Sequence, residues 1–145
     1  MFFLILILIQ ITLGALVSGL DAGKLYQTWP MMNGKYFPDD SNFNDLLSSE
    51  ILSIPSIVQF LHRNIAYFIF LFFLFIATIV FKDHDLSYFR KNIIIIFLVL
   101  LLQILLGIFT VLSGAEIIIS SLHQIGSIIL VTTVLILVYK NNKIN

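Results

Sequence analysis

The sequence predicts an all-α transmembrane four-helix bundle built from two tandem helical hairpins, on three observations. Hydrophobic residues make up 59% of the 145 and charged ones only 11%, with a mean hydropathy of +1.04; an ordinary soluble domain is far more polar. Four stretches, residues 1–20, 56–81, 92–112 and 117–139, are each apolar over about the 20 residues needed to cross roughly 30 Å of hydrocarbon. Short segments of the first two stretches recur in the last two. Residues 1–145 therefore read as a single membrane domain, with residues 21–55 as a long loop outside the bilayer.

The first stretch could be mistaken for a signal peptide, but it has no basic leader, its apolar run is too long, and no small-residue cleavage site follows, so it reads as a retained span. The long loop carries all three prolines (Pro30, Pro38, Pro55) and most of the acids: Asp21, Asp39, Asp40, Asp45 and Glu50. Asn42 to Ser53 is a candidate short surface helix. Tyr26, Trp29, Tyr36 and Phe37 have two explanations, as anchors at headgroup depth or as a lid over something bound beneath. The short loop between the second and third stretches holds Lys82, Arg90 and Lys91, and the tail adds Lys140 and Lys143, whereas the long loop has only Lys24 and Lys35. By the positive-inside rule both termini lie on the cytoplasmic side of a bacterial plasma membrane, or on the matrix side of a mitochondrial inner membrane. His84, among Lys82, Asp83 and Asp85, reads as a solvated surface residue.

Eight Lys plus Arg balance eight Asp plus Glu, so no basic surface exists to neutralise phosphates; membrane lipid is the expected partner and nucleic acid is not. The chain has no cysteine. Disulfides, thiolate metal sites and covalent haem attachment are thereby excluded, and any cofactor must be held noncovalently by other groups.

The repeat places two histidines. Gln10-Ile11-Thr12-Leu13-Gly14 matches Gln103-Ile104-Leu105-Leu106-Gly107, and Leu61-His62-Arg63 answers Leu122-His123-Gln124. Each hairpin thus delivers one histidine from its second helix, and the two hairpins are related by a pseudo-twofold axis along the membrane normal. His62, Arg63 and His123 are the ionisable side chains inside the spans, tyrosines and termini apart, and such residues default to a functional reading. His62 lies six residues past Ser56, and His123 six past Ile117, so at 1.5 Å per residue each sits about 9 Å below the same face. Two imidazoles at one depth can ligate one iron from opposite sides of a porphyrin. Zinc would want a third or fourth protein ligand at that depth, and the sequence offers none. Arg63 could neutralise a haem propionate or snorkel to headgroups; Gln59, one turn before His62, could bond a ligand or propionate or cap a helix contact. Gly14, Gly107 and Gly126 mark either close helix packing or room for a flat macrocycle.

Taken in order, Gly14-Ala15-Leu16-Val17-Ser18-Gly19, Asp21-Ala22-Gly23, Tyr26-Gln27-Thr28-Trp29-Pro30-Met31-Met32, Val58-Gln59-Phe60-Leu61-His62-Arg63 and Leu122-His123-Gln124 resemble the C-terminal half of the haem A synthase family. The resemblance covers nearly the whole chain. It implies half of an eight-helix fold made of two similar four-helix bundles, which converts haem O to haem A for cytochrome oxidase by oxidising a porphyrin methyl to a formyl group. It also implies a haem b cofactor held in this half, with His62 and His123 as axial ligands. In the family the N-terminal bundle binds the substrate haem and has a glutamate three residues before its first histidine; here that position is Gln59. Every acid of this sequence falls in a loop, so no carboxylate lies at histidine depth to move protons, and no catalytic residue is expected in this half. The expected partners are the substrate-haem bundle or a second copy, haem O synthase and an electron carrier. Met1 at the start of a span leads to the expectation of a truncated or split gene. The alternatives are a stand-alone bis-histidine cytochrome b, reducible by a quinol in isolation, and a noncatalytic subunit whose histidines only pack.

Overall fold

The protein is described by a computed structural model over residues 1–144. Four helices carry it: α1 (Phe2–Gly19), α2 (Pro55–Lys82), α3 (Arg90–Leu112) and α4 (Ile117–Ile144), all long and apolar enough to cross a membrane. The rest, among the described residues, is turns, one isolated bridge between Met32 and Lys35, and short 3-10 segments at Ala22–Lys24, Phe43–Leu47 and Ser87–Phe89. α4 continues past the predicted end at Tyr139 as far as Ile144.

Local chemistry sets the ends. α2 starts on Pro55, whose missing N–H costs nothing in a first turn, and at its far end the Arg90 guanidinium donates to the Phe81 carbonyl at 3.1 Å, meeting one of the orphan acceptors there. Between α3 and α4 the chain reverses through Gly114 and Ala115, both at positive φ (68° and 63°). The Glu116 carboxylate then accepts the amides of Ile118 and Ile119, each at 3.0 Å, and caps α4. Of the predicted surface helix from Asn42 to Ser53, only the Phe43–Leu47 turn forms, held by a capping box between Asn42 and Asp45. Beyond it Ser48 Oγ accepts the Glu50 amide at 3.1 Å, a local bond that competes with helix continuation.

The helices pack as two antiparallel hairpins, α1 with α2 and α3 with α4. α1 and α3 each also touch the remaining helix of the other hairpin, so α2 and α4 stand at opposite corners of the bundle. The interior divides by height. Toward the short loop it is mainly apolar, lined by Leu4, Ile7, Ile69, Phe73, Ile93, Ile96, Leu130 and Val134, with the buried Asn92 accepting from Lys140 at 3.0 Å near the end. Toward the long loop the inward positions turn polar: Gln59, Arg63 and Gln103 are buried, and Gln10, His62 and His123 are partly so. Polar groups packed inside half of an otherwise apolar membrane bundle mark a functional region.

Candidate functional site

His62 and His123 stand on the two opposite-corner helices, His62 seven residues past Pro55 and His123 six past Ile117. Each imidazole leans on the glycine of its own hairpin partner. A Cβ placed on Gly14 would lie 3.2 Å from Cε1 of His62, and one on Gly107 would lie 3.1 Å from Cε1 of His123. Both are tighter than ordinary contacts, so these glycines are ring cradles rather than generic packing positions. Gly126 serves differently: a Cβ there would collide with the side-chain amide of Gln103, so its bareness makes room for that residue.

The glutamine of the repeat reaches the first histidine directly. Gln10 Nε2 lies 3.0 Å from the His62 carbonyl oxygen and 3.3 Å from His62 Nε2. Because a carbonyl can only accept, the atom facing it must be the NH₂ group, which fixes the amide orientation and makes His62 Nε2 an acceptor as well. The ring proton then sits on Nδ1, which is buried and has no hydrogen-bond partner; Nδ1 of His123 is likewise unpartnered. His62 and His123 are the two imidazoles that this polar half-bundle offers to a noncovalently held group. Among the described residues no cluster of three or more His, Cys, Asp or Glu is poised for a bare ion.

Gln59 and Arg63 flank His62 on α2 and turn to the long loop. Gln59 Nε2 donates to the Tyr26 carbonyl at 3.1 Å; the Arg63 guanidinium donates to the same carbonyl at 2.8 Å and to that of Thr28 at 2.9 Å. Arg63 Nε and Gln59 Oε1 remain buried and unpartnered. Neither of the sequence alternatives for Arg63 anticipates this backbone clamp.

Tyr26 is the residue that sequence reasoning undervalued. It is 3% exposed, so it is not a headgroup anchor, and its hydroxyl donates to Asp39 at 2.6 Å and Asp40 at 2.9 Å. Phe37 stacks on Phe43 and meets Phe60 of α2 edge-on, while the Tyr36 hydroxyl donates to Asn64. Trp29 and Tyr36 remain exposed, as interfacial anchors would be. Tyr26 and Phe37 thus pack inward while Trp29 and Tyr36 stay at the surface. No sequence signal singled out Tyr26, because its acidic partners lie 13 and 14 residues away in irregular chain.

Burial, then the bonds to Asp39 and Asp40, raise the Tyr26 hydroxyl's pKa, while the hydroxyl's donation holds the Asp39 carboxylate below its ordinary 3.8. The sign follows from linkage: a depressed folded pKa gives stability that is present above the unfolded value and lost as pH falls through the folded one. The loop latch is thus expected to weaken below about pH 4. With no native cysteine, an Asn44→Cys spin label reports it cleanly: mobility should rise between pH 6 and about 3, and Tyr26→Phe should be mobile throughout with no acid transition. A label equally immobile across that range would show that the latch does not hold the loop.

A family model described as COX15-CtaA, cytochrome oxidase assembly protein, matches residues 1–135. The chain belongs to this family. Curated proteins named Heme A synthase are similar to it: that of Pelagibacter ubique (strain HTCC1062) is 44% identical over 142 residues, covering 98% of this chain and 41% of that protein. That of Bartonella tribocorum (strain CIP 105476 / IBS 506) is 40% identical over 120 residues, covering 83% and 34% respectively. That of Rickettsia africae (strain ESF-5) is 38% identical over 132 residues, covering 88% and 37%. The chain spans less than half the length of each of these relatives. No solved structure matches it.

Proposed function

We propose that the chain is the cofactor-binding, electron-transferring half of a haem A synthase, an oxidoreductase that converts haem O to haem A, and that His62 and His123 are the axial ligands of a noncovalent haem b. The observation that carries this reading is the pair of imidazoles on opposite-corner helices, each seated on a glycine of its own hairpin, in the polar half of a membrane bundle. Family membership and the relatives' names support it. The residues fit the group: each neutral imidazole has one lone-pair nitrogen, that of His62 being Nε2, which meets only the weak 3.3 Å contact from Gln10 and would exchange it for the metal, and no sulfur ligand is needed. When bound, haem supplies one-electron redox chemistry. The chain's own residues supply the rest: Gln10 holds His62 in the tautomer that keeps its lone pair on Nε2, and Arg63 Nε and Gln59 Oε1 keep capacity for a cofactor's polar edge. The termini and the short loop, with its excess of basic residues, face the cytoplasm or matrix.

Every Asp and Glu lies outside the four helices, so no carboxylate within a span is placed to manage protons in methyl oxidation. The substrate haem and its acid–base group belong to a second bundle, supplied by another chain or a further part of the same one. The purified chain loaded with haem b is expected to show a six-coordinate low-spin absorption spectrum, yet to yield no haem A from haem O. Absence of low-spin bands would refute the haem reading; turnover by the chain alone would refute the half-enzyme reading.

A further inference from the structure

The Gln-Ile-x-Leu-Gly segment occurs twice, Gln10 to Gly14 on α1 and Gln103 to Gly107 on α3, and ligation by histidine does not by itself explain why. Both copies lie on the first helix of a hairpin, and each glutamine comes nine residues before its helix ends, at Gly19 and Leu112. In both hairpins the glycine faces the imidazole of the second helix, with Cε1 at 3.2 Å and 3.1 Å from where a Cβ would be. One turn before it, the glutamine points into the same hairpin seam. Gln10 bonds the ring nitrogen and carbonyl of His62, and Gln103 is buried against Gly126, one turn past His123.

We propose that this repeated segment is the imidazole-positioning element of each hairpin: its glycine admits the ring edge, and in the first hairpin its glutamine fixes the tautomer of His62. The proposal deepens the haem reading, on which it rests for what the rings are positioned to bind. The physical need is specific. An imidazole ligand contributes its full affinity only when its plane and tautomer are set before the metal arrives, and partners in the outer shell usually set them. The backbone carbonyls of Gln10 and Gln103 lie close enough to act on the His62 and His123 rings, but Nδ1 of neither ring makes a hydrogen bond of ordinary geometry. The Gln10 side chain acts from the Nε2 side: its weak 3.3 Å bond keeps the proton on Nδ1 in the haem-free chain and would be given up when a metal takes the lone pair, its bond to the His62 carbonyl remaining. The glycine then matters because the ring lies against the facing helix backbone, and a methyl group there forces it to shift by a few tenths of an ångström.

The test uses the whole chain in detergent or nanodiscs. Gly14→Ala and Gly107→Ala should preserve helix content, since alanine is the better helix former. Each should alter the electron paramagnetic resonance g-values of the bound haem and speed its loss by about 10-fold, in the range typical of outer-shell changes. Gly19→Ala is the control, because a Cβ there meets nothing within 4 Å, and should be silent. In the haem-free chain with ¹⁵N-labelled histidine, Gln10→Leu should shift the His62 ring nitrogens and leave those of His123 in place. The proposal is overturned if both alanine variants match Gly19→Ala in both haem readouts, or if Gln10→Leu leaves the His62 nitrogens unmoved. Should the native chain take up no haem, the haem reading fails by itself, and the nitrogen spectra of the haem-free chain still decide whether Gln10 positions the ring.

Discussion

His62→Ala and His123→Ala are each expected to abolish the low-spin haem spectrum and to weaken haem retention by more than about 100-fold, beyond the loss typical of an outer-shell change. Under the proposed assignment each substitution would remove one of the two nitrogens that would hold the haem. The fold should survive. Each ring carries a buried, unpartnered Nδ1, and an unmet polar group of this kind costs about 1–3 kcal/mol, so alanine removes a penalty while it gives up packing. Two controls separate ligation from general damage. His84→Ala, on an exposed residue of the short loop, should leave the spectrum unchanged, and added imidazole should restore low-spin bands to either alanine variant by entering the vacated space. A low-spin spectrum that persists in His62→Ala or in His123→Ala, without added imidazole, would sink the axial assignment.

Much of this architecture is legible in the sequence because a bilayer leaves the chain few choices. A backbone in hydrocarbon must satisfy its own polar groups, so apolar runs become helices, and α1, α2 and α3 fall within two residues of the stretches predicted from hydropathy. The histidines stand out for the complementary reason, as titratable groups in a costly place. What sequence cannot supply is the rotation of one helix against another. Gln10 and Gly14 are visible as half of a repeat, but that both face His62 depends on how α1 is turned within the hairpin. Gly126 shows the same limit: beside a histidine in sequence, it faces Gln103. In the long loop the signal is weaker still. Tyr26 looks like Trp29 or Tyr36 on paper, and only the irregular path that brings Asp39 and Asp40 to its hydroxyl separates a buried hub from two exposed aromatics.

That hub makes Arg63 the second position where a large effect is expected. The buried guanidinium donates to two loop carbonyls, at 2.8 Å and 2.9 Å, from one turn past Gln59, which shares the Tyr26 carbonyl. Bonds from a charged donor contribute about 1.5–3 kcal/mol each, and Arg63→Leu would strand the Thr28 carbonyl while leaving Tyr26 only its bond from Gln59. Opening of the 22–34 segment should become easier by at least about 2 kcal/mol, or roughly 30-fold faster hydrogen exchange of its amides in the haem-free chain. Arg63→Lys should fall between, because a single ammonium cannot reproduce the fork that spans two carbonyls. The loop beyond that segment is tied to α2 through Tyr36 to Asn64 and Ser41 to Ser56, so the change should be confined to the stretch around Tyr26 and Thr28. If Arg63→Leu alters haem binding but leaves exchange in that stretch untouched, Arg63 acts on the cofactor and the clamp is incidental; if exchange rises without any haem present, fastening the loop over the histidine end of the bundle is its own task.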